Sequence, residues 1–409
     1  MSPRASRTVA VTGQGLVTPA GIGTGVNWER ICNGGGTAAK DTELAGGPVE
    51  YSCRVPYFDP AEAVGARDAW RTDRFVQLAL MAAREAVADA GLDPACWDGD
   101  RVAIVIGSAA GGVSTSEAQH ERFLDKGSKG VSALFHPMAL GNMVAGRLAI
   151  DYGATGPNLV TSTACASGAT AIGVARDLLL SGACDIAIAG GTEAAITPTF
   201  VAGFARMGAL YTGDLPPEQA SRPFDRARGG FVIGEGAGIL ILERLEDARA
   251  RRARVHARLL GYGASSDANH VTAPHPDGRG IEQAMRRACD DARIPPQRIQ
   301  LVNAHGTSTP LNDLTEARAI ARLGSEAVAV TSTKGVTGHT LGAAGAIEAA
   351  YTVLSLAHQR IPPTVNLVEL DPQIRLDVVA GSPRQVELTY ALSNSAGFGG
   401  HNVSLLFAT

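Results

Sequence analysis

The sequence has no excess of positive charge, no closely paired cysteines and no long hydrophobic run. With 36 Lys+Arg and 40 Asp+Glu, its formal net charge is -4, so it offers no basic field to neutralise nucleic-acid phosphates. Its six cysteines are scattered, without a Cys-x-x-Cys pair, which indicates neither a disulfide framework nor a metal site. Every apolar run is shorter than a membrane helix requires. We therefore expect a soluble, cytoplasmic protein that binds neither nucleic acid nor membrane.

Aromatic residues are also scarce, at 5% of the chain, whereas glycine is abundant, with 49 residues. A composition of 45% hydrophobic and 19% charged residues is typical of a compact globular protein. The glycines do not form repeats; they stand singly or in pairs at the ends of apolar strands. This placement indicates that the backbone packs closely around a buried site.

Short β-branched runs alternate with longer Ala- and Leu-rich stretches, which predicts a layered α/β fold with mostly buried sheets. A charged segment at residues 245–254 separates two groups of these elements, so we predict an N-terminal half over residues 1–250 and a C-terminal half over 251–409. Strands are predicted at residues 8–12, 102–106, 159–163, 185–189, 238–242, 301–304, 328–331, 388–393 and 403–407. Helices are predicted at residues 75–90, 166–180, 281–292 and 345–356.

Cys165 lies where a predicted buried strand runs into a helix rich in small residues. A helix N-terminus presents unpaired N–H groups and a positive dipole end, which lowers a thiol pKa and favours the nucleophilic thiolate. The arrangement is analogous to a nucleophile elbow with sulfur in place of a serine oxygen. Free cysteine is often only a small buried hydrophobe, which is how we interpret Cys184 and Cys289. The role of Cys165 therefore depends on its partners.

Two histidines, His305 and His339, each follow a predicted strand and are surrounded by glycine and hydroxyl residues. Two imidazoles that converge on a thiolate can donate hydrogen bonds to a developing enolate or oxyanion while they remain neutral near physiological pH. A lone histidine in either position would more often be structural. Their shared context favours a catalytic pair.

Together these motifs resemble the β-ketoacyl-acyl-carrier-protein synthases of the elongating type. The resemblance rests on residues 163–168, 305–310, 334–342 and 394–400, and it extends nearly from end to end. It implies a thiolase-like α/β fold, in which two related halves form a five-layered αβαβα core, and an obligate dimer. The partners that it implies are acyl carrier protein and a second ketosynthase-like subunit, either identical or a chain-length factor.

By the same resemblance, Cys165 takes an acyl chain from acyl carrier protein as a thioester. His305 and His339 bind the malonyl thioester, promote its decarboxylation and stabilise the enolate, which attacks the acyl group and extends it by two carbons. The backbone N–H groups of Cys165 and Phe398 form the oxyanion hole. The resemblance also implies that Lys334 and Glu348 form a buried pair that orders the histidines. Thr307 and Thr309 supply hydroxyls that hold the phosphopantetheine arm. Phe398 is a gate, with the flexible Gly399 beside it.

Two departures from the family pattern leave the pathway open. Ala396 stands where fatty-acid elongation enzymes commonly carry Phe, and Asn312 stands where Gly is frequent, as in ketosynthase subunits of type II polyketide systems. The alternatives are therefore a fatty-acid elongation enzyme and the catalytic subunit of a polyketide ketosynthase/chain-length-factor heterodimer. A non-catalytic dimer partner is disfavoured by the presence of Cys165. A thiolase is disfavoured because its second cysteine has no counterpart near Phe398.

Two glycine motifs could suggest a dinucleotide site, but neither has the required context. Gly13-x-Gly15 lacks the third fingerprint glycine, and the motif at residues 234–238 runs into a strand instead of opening a helix. We interpret both as structural turns. No nicotinamide, flavin or metal is expected, because the substrates implied by the resemblance are carried on phosphopantetheine.

Overall fold

The computed structural model describes residues 8–324 and 328–409, which form alternating strands and helices. The strands are β1 (Val9–Thr18), β2 (Gly21–Ile22), β3 (Ala39–Lys40), β4 (Tyr51–Ser52), β5 (Val102–Gly107), β6 (Asn158–Thr161), β7 (Ile186–Glu193), β8 (Gly236–Arg244), β9 (Ala257–Ser266), β10 (Leu301–Asn303), β11 (Ala329–Thr331), β12 (Arg360–Ile361), β13 (Asp377–Val378), β14 (Arg384–Gln385), β15 (Tyr390–Gly397) and β16 (His401–Ala408). The α-helices are α1 (Thr24–Asn33), α2 (Pro60–Val64), α3 (Arg74–Asp89), α4 (Val113–Lys126), α5 (Phe135–Ala139), α6 (Met143–Tyr152), α7 (Ser167–Ser181), α8 (Pro198–Arg206), α9 (Pro217–Ala220), α10 (Leu245–Ala250), α11 (Arg279–Ala292), α12 (Pro310–Ala321), α13 (Lys334–Thr337) and α14 (Ala344–His358).

The main strands form two mixed sheets joined along one short seam. One sheet has the order β1-β8-β7-β5-β6, and the other has the order β13-β11-β10-β15-β16-β9. The seam is the antiparallel pairing of β1 with β9, in which Val9 lies opposite Leu259 and Val11 lies opposite Ala257. The two groups of strands that the sequence predicts are thus hydrogen-bonded to each other.

Helices α7 and α14 lie between the sheets and contact strands of both. They pack on each other through glycine, because a Cβ on Gly168 would lie only 2.9 Å from the Ala346 Cβ, and one on Gly345 only 2.8 Å from the Ala169 Cβ. Helix α3 covers the outer face of the first sheet, and α11 covers the outer face of the second. The result is the predicted order of five layers. Within the described ranges, no helix has both the length and the apolar character to cross a membrane.

Each predicted strand and helix overlaps an observed one, but the prediction missed β9, the strand that joins the sheets. Gly261 and Gly263 interrupt its pattern, and glycine normally argues against a strand. Here both glycines let α11 approach, since a Cβ on either would lie 2.0 Å from a carbonyl oxygen of that helix. Gly13 and Gly15 do the same for α3, so the predicted turn at these residues is wrong: they lie inside β1.

Candidate active site

Cys165 lies in the tight connection between β6 and α7. The residue before it, Ala164, has a positive φ of 49°, a conformation that residues other than glycine adopt rarely. The turn is held by Ser167, whose Oγ donates to the Ala164 carbonyl at 2.6 Å and accepts from the Thr163 N–H at 2.9 Å. The connection is thus the sharp, strained strand-to-helix turn expected from the sequence.

The electrostatic environment of the Cys165 thiol differs from the sequence-based expectation. Burial raises the pKa of Cys165 to about 12, against the opposing effects of the Lys334 charge and of a hydrogen bond from the Phe398 N–H. The expectation of a lowered thiol pKa at the helix N-terminus was therefore wrong, because loss of hydration outweighs the neighbouring positive charge. The resting thiol is protonated, so its proton must leave as the sulfur attacks.

The two predicted histidines lie against each other, with ring centroids 5.2 Å apart and planes at 85°. His305 follows β10, and its backbone N–H donates to Glu316 Oε1 at 2.9 Å. His339 follows α13, and its backbone N–H donates to the Val232 carbonyl at 2.8 Å. Hydrogen bonds to different parts of the chain thus fix the backbone position of each histidine.

Both imidazoles are neutral in this environment. Burial lowers the pKa of His305 and of His339 well below the ordinary value, and the Lys334 charge acts in the same direction on both. Lys334 Nζ lies 3.5 Å from His305 Nδ1, and because the ammonium can only donate, Nδ1 accepts. The proton of the neutral His305 ring is therefore on Nε2. This state agrees with the predicted role as a neutral hydrogen-bond donor.

Lys334 and Glu348 form the buried pair that the resemblance implies, with side chains 1% and 3% exposed. The Lys334 ammonium donates to Glu348 Oε1 and, at 2.6 Å, to the carbonyl of His305. Burial raises the pKa of Glu348 to about 7, while the Lys334 charge and hydrogen bond lower it. The pair therefore supports the backbone and the ring of His305 from behind.

The energetic coupling of Lys334 and Glu348 can be tested by comparing the loss of one charge with the loss of both. Lys334→Met leaves the Glu348 carboxyl buried without its partner, so we expect a loss of about 3–5 kcal/mol in the free energy of unfolding. The double variant Lys334→Met/Glu348→Gln removes both charges and should lose much less. Urea unfolding of the three proteins measures the difference. Equal losses in the single and double variants would contradict an energetic coupling of the two residues.

One cavity of about 360 Å³ brings most of the predicted site residues together. Its wall includes the following predicted residues: Cys165, His305, His339, Thr307, Thr309 and Phe398. Gly399 is not in the wall; it is exposed on the adjoining loop, where its N–H donates to the Val271 carbonyl at 2.7 Å. Lys334 and Glu348 are not in the wall either, and Lys334 contacts His305 from outside it.

The chemical character of the cavity varies along its wall. The Phe398 ring lies 6.3 Å from Phe204 at 51°, at the apolar side. Thr307 and Thr309 place two hydroxyls 2.9 Å apart on the polar side. Thr309 is itself held by Arg228, whose guanidinium donates to its carbonyl at 3.3 Å. The cavity can therefore receive an apolar chain at one side and a polar linker at the other.

Several residues of the site were missed by the sequence analysis. The buried Glu316 carboxylate accepts the N–H groups of both His305 and Gly306, at 2.9 and 2.8 Å. Phe231 meets the edge of the His339 ring, with centroids 5.2 Å apart. Glu316 lies within α12, eleven residues beyond His305, and an isolated glutamate in a helix carries no motif. The contact of Glu316 with His305 and Gly306 becomes visible only when the fold shows that the turn between β10 and α12 brings them together.

Comparison with known proteins identifies the family. Residues 6–248 match the model of the beta-ketoacyl synthase N-terminal domain, and residues 256–368 match that of the C-terminal domain. The chain is 45% identical over 407 residues to 3-oxoacyl-[acyl-carrier-protein] synthase 2 of Staphylococcus aureus strain N315, which covers 98% of each chain. The predicted division of the chain at residue 250 is not tested by these matches and stays a prediction.

Two solved structures share the fold. The ishigamide ketosynthase/chain length factor superposes with a TM-score of 0.92 at 35% identity, covering 99% of this chain and 100% of the other. A type II PKS ketosynthase, in complex with its acyl-carrier protein and bound to the hexaketide, superposes with a TM-score of 0.89 at 32% identity, covering 98% and 99%. These similarities confirm the predicted thiolase-like fold. With both domain models matched and the whole chain aligned, this protein belongs to the beta-ketoacyl synthase family.

Proposed function

We propose that this protein is a 3-oxoacyl-[acyl-carrier-protein] synthase that extends an acyl chain by two carbons through decarboxylative condensation with malonyl-acyl carrier protein. The observation that carries the proposal is the presence of Cys165, His305 and His339 in the wall of one cavity. The identity of 45% to a 3-oxoacyl-[acyl-carrier-protein] synthase 2 over nearly the whole chain supports it.

In the first step, the Cys165 sulfur attacks the thioester carbonyl of an acyl chain held on the phosphopantetheine of acyl carrier protein. A new sulfur–carbon bond forms, the carrier thiol leaves, and the proton of Cys165 passes to that thiol. The N–H of Phe398 already points at the Cys165 thiol, and with the N–H of Cys165 it would stabilise the oxyanion of the tetrahedral intermediate. The resting thiol and the thioester are both uncharged, so burial disfavours only the thiolate that would form between them.

In the second step, a malonyl thioester takes the place of the first carrier. Neutral His305 and His339 donate hydrogen bonds to its carbonyl, the bond to the carboxylate breaks, carbon dioxide leaves, and the electron pair remains as the enolate. The enolate carbon attacks the acyl carbonyl on Cys165. The Cys165 thiolate leaves and takes up one proton from solvent, which regenerates the resting thiol, and a 3-oxoacyl chain remains on the carrier. Both substrates arrive on phosphopantetheine, so this scheme requires no resident cofactor.

We propose that the carrier arm passes Thr307 and Thr309 and that Phe398 separates Cys165 from the acyl chain's pocket. The two hydroxyls suit the amides of a phosphopantetheine arm, which can both donate and accept. The positive φ values of Gly399 and Gly400, 83° and 77°, are conformations that glycine adopts without strain. Those glycines allow the Phe398 loop to change conformation as the acyl chain enters.

A dimer is part of the proposal. Strand β6 is an edge of the first sheet and pairs only with β5 among the described strands. Its Leu159 is exposed, and the nearby α4 and α6 also expose apolar side chains, namely Phe123, Leu124 and Ile150. Such an unpaired edge with exposed apolar residues suits a second ketosynthase subunit. We propose a cytoplasmic location for the assembled enzyme.

The second candidate is the catalytic subunit of a type II polyketide heterodimer. It is favoured by Ala396, which lies in the cavity wall where a larger side chain would narrow the space, and by the two ketosynthase structures described above. Both candidates require the same chemistry at Cys165. They differ in the second subunit and in the length of the product.

The chain expressed alone should form a homodimer in native mass spectrometry and should convert labelled acyl-acyl carrier protein and malonyl-acyl carrier protein to the 3-oxoacyl product. Co-expression with candidate chain-length factors and analysis of the products test the alternative. A stable one-to-one heterodimer that alone forms product would favour the polyketide subunit. No condensation by either assembly would refute the proposed function.

A further inference from the structure

Glu193, at the end of β7, is fully buried, and its carboxylate accepts four hydrogen bonds. The backbone N–H groups of Ala109 and Gly342 donate to Oε2 at 2.7 and 3.1 Å. The Ser108 hydroxyl and the Ala110 N–H donate to Oε1 at 3.0 and 3.2 Å. A single carboxylate thus joins the segment after β5 to the segment after His339.

The groups that act on the Glu193 carboxyl are three backbone N–H groups and the Ser108 hydroxyl, with no cation of the described residues among them. Burial accordingly raises the pKa of Glu193 to about 7, although its hydrogen bonds act in the opposite direction. An unpaired buried carboxyl is costly and is ordinarily replaced by an apolar residue unless its hydrogen bonds are needed. The four donors come from two separate segments of the chain, so these hydrogen bonds hold the two segments together.

The two segments that Glu193 joins both pack near Cys165, and the segment after His339 also lines the cavity through Leu341. Gly342 is three residues beyond His339, and Leu341 between them has a positive φ of 48°. Ala110 and Leu341 belong to the same apolar cluster as Cys165. The space is tight, since a Cβ on Gly342 would lie 2.5 Å from both the Ala109 N and Glu193 Oε2. A shift of this contact therefore moves the His339 loop relative to Cys165.

We propose that Glu193 is a positioning residue for condensation, which holds the His339 loop against the wall beside Cys165 through its shared contacts with Ala109 and Gly342. The inference rests on the proposed function, because it assigns His339 to the malonyl step. Cys165 itself is held by Ser167 and by the turn before α7. Loss of Glu193 should therefore affect decarboxylation more than acyl loading.

Glu193→Ala removes all four contacts. A displacement of about 1 Å at a catalytic group can cost about a hundredfold in rate, so we expect carbon dioxide release from malonyl-acyl carrier protein to fall about a hundredfold. Acylation of Cys165, followed by intact mass, should fall by less than about tenfold, because the Cys165 turn does not use Glu193. The ratio of the two rates is the diagnostic quantity.

Glu193→Gln should restore most of the decarboxylation. Its carbonyl can keep the Ala109 and Gly342 donors, while its NH₂ group donates to the Ser108 hydroxyl and only the Ala110 N–H loses its acceptor. The variant also lacks the negative charge that raises the pKa of Cys165. The pH profile of Cys165 alkylation by iodoacetamide should therefore move to lower pH, which reports the loss of the Glu193 charge near the thiol.

Glu243→Ala is the matched control, because Glu243 is also a buried strand glutamate, bonded to Thr12 at 2.5 Å and to Arg251, and it does not line the cavity. It should reduce stability without changing the ratio of decarboxylation to loading. If Glu193→Ala does not fold, Gly342→Ala disturbs the same contact from the other side and should change the ratio in the same direction.

Equal losses of loading and decarboxylation in Glu193→Ala, or no recovery of decarboxylation in Glu193→Gln, would overturn the proposal. A wild-type chain that releases no carbon dioxide from malonyl-acyl carrier protein, alone or with a partner, would instead refute the proposed function. The alkylation profile would still test the coupling of Glu193 to Cys165 in that case.

Discussion

Cys165→Ala is expected to abolish acyl transfer from acyl carrier protein, with a loss of at least about 10⁴-fold, since no other group can form the covalent intermediate. The fold should remain, because the thiol is a small side chain whose sulfur lines a cavity and makes no structural ion pair or disulfide. Intact mass after incubation with acyl-acyl carrier protein should show no acyl-enzyme. Cys165→Ser should fail similarly, because a buried hydroxyl is a far weaker nucleophile.

The matched controls are Cys184→Ala and Cys289→Ala, which remove buried thiols away from the cavity. Both should load acyl chains at the wild-type rate. Iodoacetamide should modify Cys165 in preference to these two, because of the three only Cys165 lines the cavity, while exposed Cys96 can react without loss of activity. A wild-type rate of product formation by Cys165→Ala, or preferred alkylation of Cys184 or Cys289, would refute the assignment of the nucleophile.

The sequence predicts which residues meet in the cavity, because their motifs are local. Cys165 lies at a strand–helix turn that neighbouring small residues define, and His305 and His339 each follow an element end. The pKa of the Cys165 thiol could not be predicted in this way. This pKa depends on how completely the rest of the chain removes water from the sulfur. The helix dipole alone would lower the pKa, whereas burial raises it.

The supporting carboxylates could not be predicted from the local sequence either. Glu316 and Glu193 act on backbone N–H groups of distant turns, and no pattern along the chain marks a residue whose partners are peptide groups. Strand β9 was missed for a related reason. Its glycines look like strand breakers until the packing of α11 is known. A sequence motif can identify residues whose side chains are suited to a reaction. Residues that support the site through contacts with the backbone can be identified only from the fold.

The second large effect is expected at the histidines. His305→Ala and His339→Ala should each reduce decarboxylation of malonyl-acyl carrier protein by about 10²–10³-fold, the usual cost of removing one donor to a developing oxyanion. Acylation of Cys165 should persist in both variants, because it does not require the enolate. Release of labelled carbon dioxide and the mass of the acyl-enzyme measure the two steps separately. Unchanged carbon dioxide release in both variants would remove the histidines from the mechanism.

The pH dependence distinguishes neutral donors from protonated ones. The pKa of each histidine is lowered in the folded protein, so the neutral rings persist as the pH falls below about 6.5, the ordinary histidine value. The rate of decarboxylation should therefore stay constant through that pH. It should decline only at the lower pH at which the His305 and His339 rings of the folded protein become protonated. Because unfolded histidines bind protons first, the contribution of these two histidines to stability should fall as the pH drops below about 6.5, whereas Glu193 and Glu348, whose pKa values are raised to about 7, contribute in the opposite direction. In Lys334→Met/Glu348→Gln the Lys334 charge is gone, so the acid limb of the decarboxylation profile should move to higher pH. An acid limb centred at or above pH 6.5 that persists in Glu193→Gln and in Glu348→Gln, which remove the two carboxyls with pKa values raised to about 7, would show that the histidines act in another protonation state.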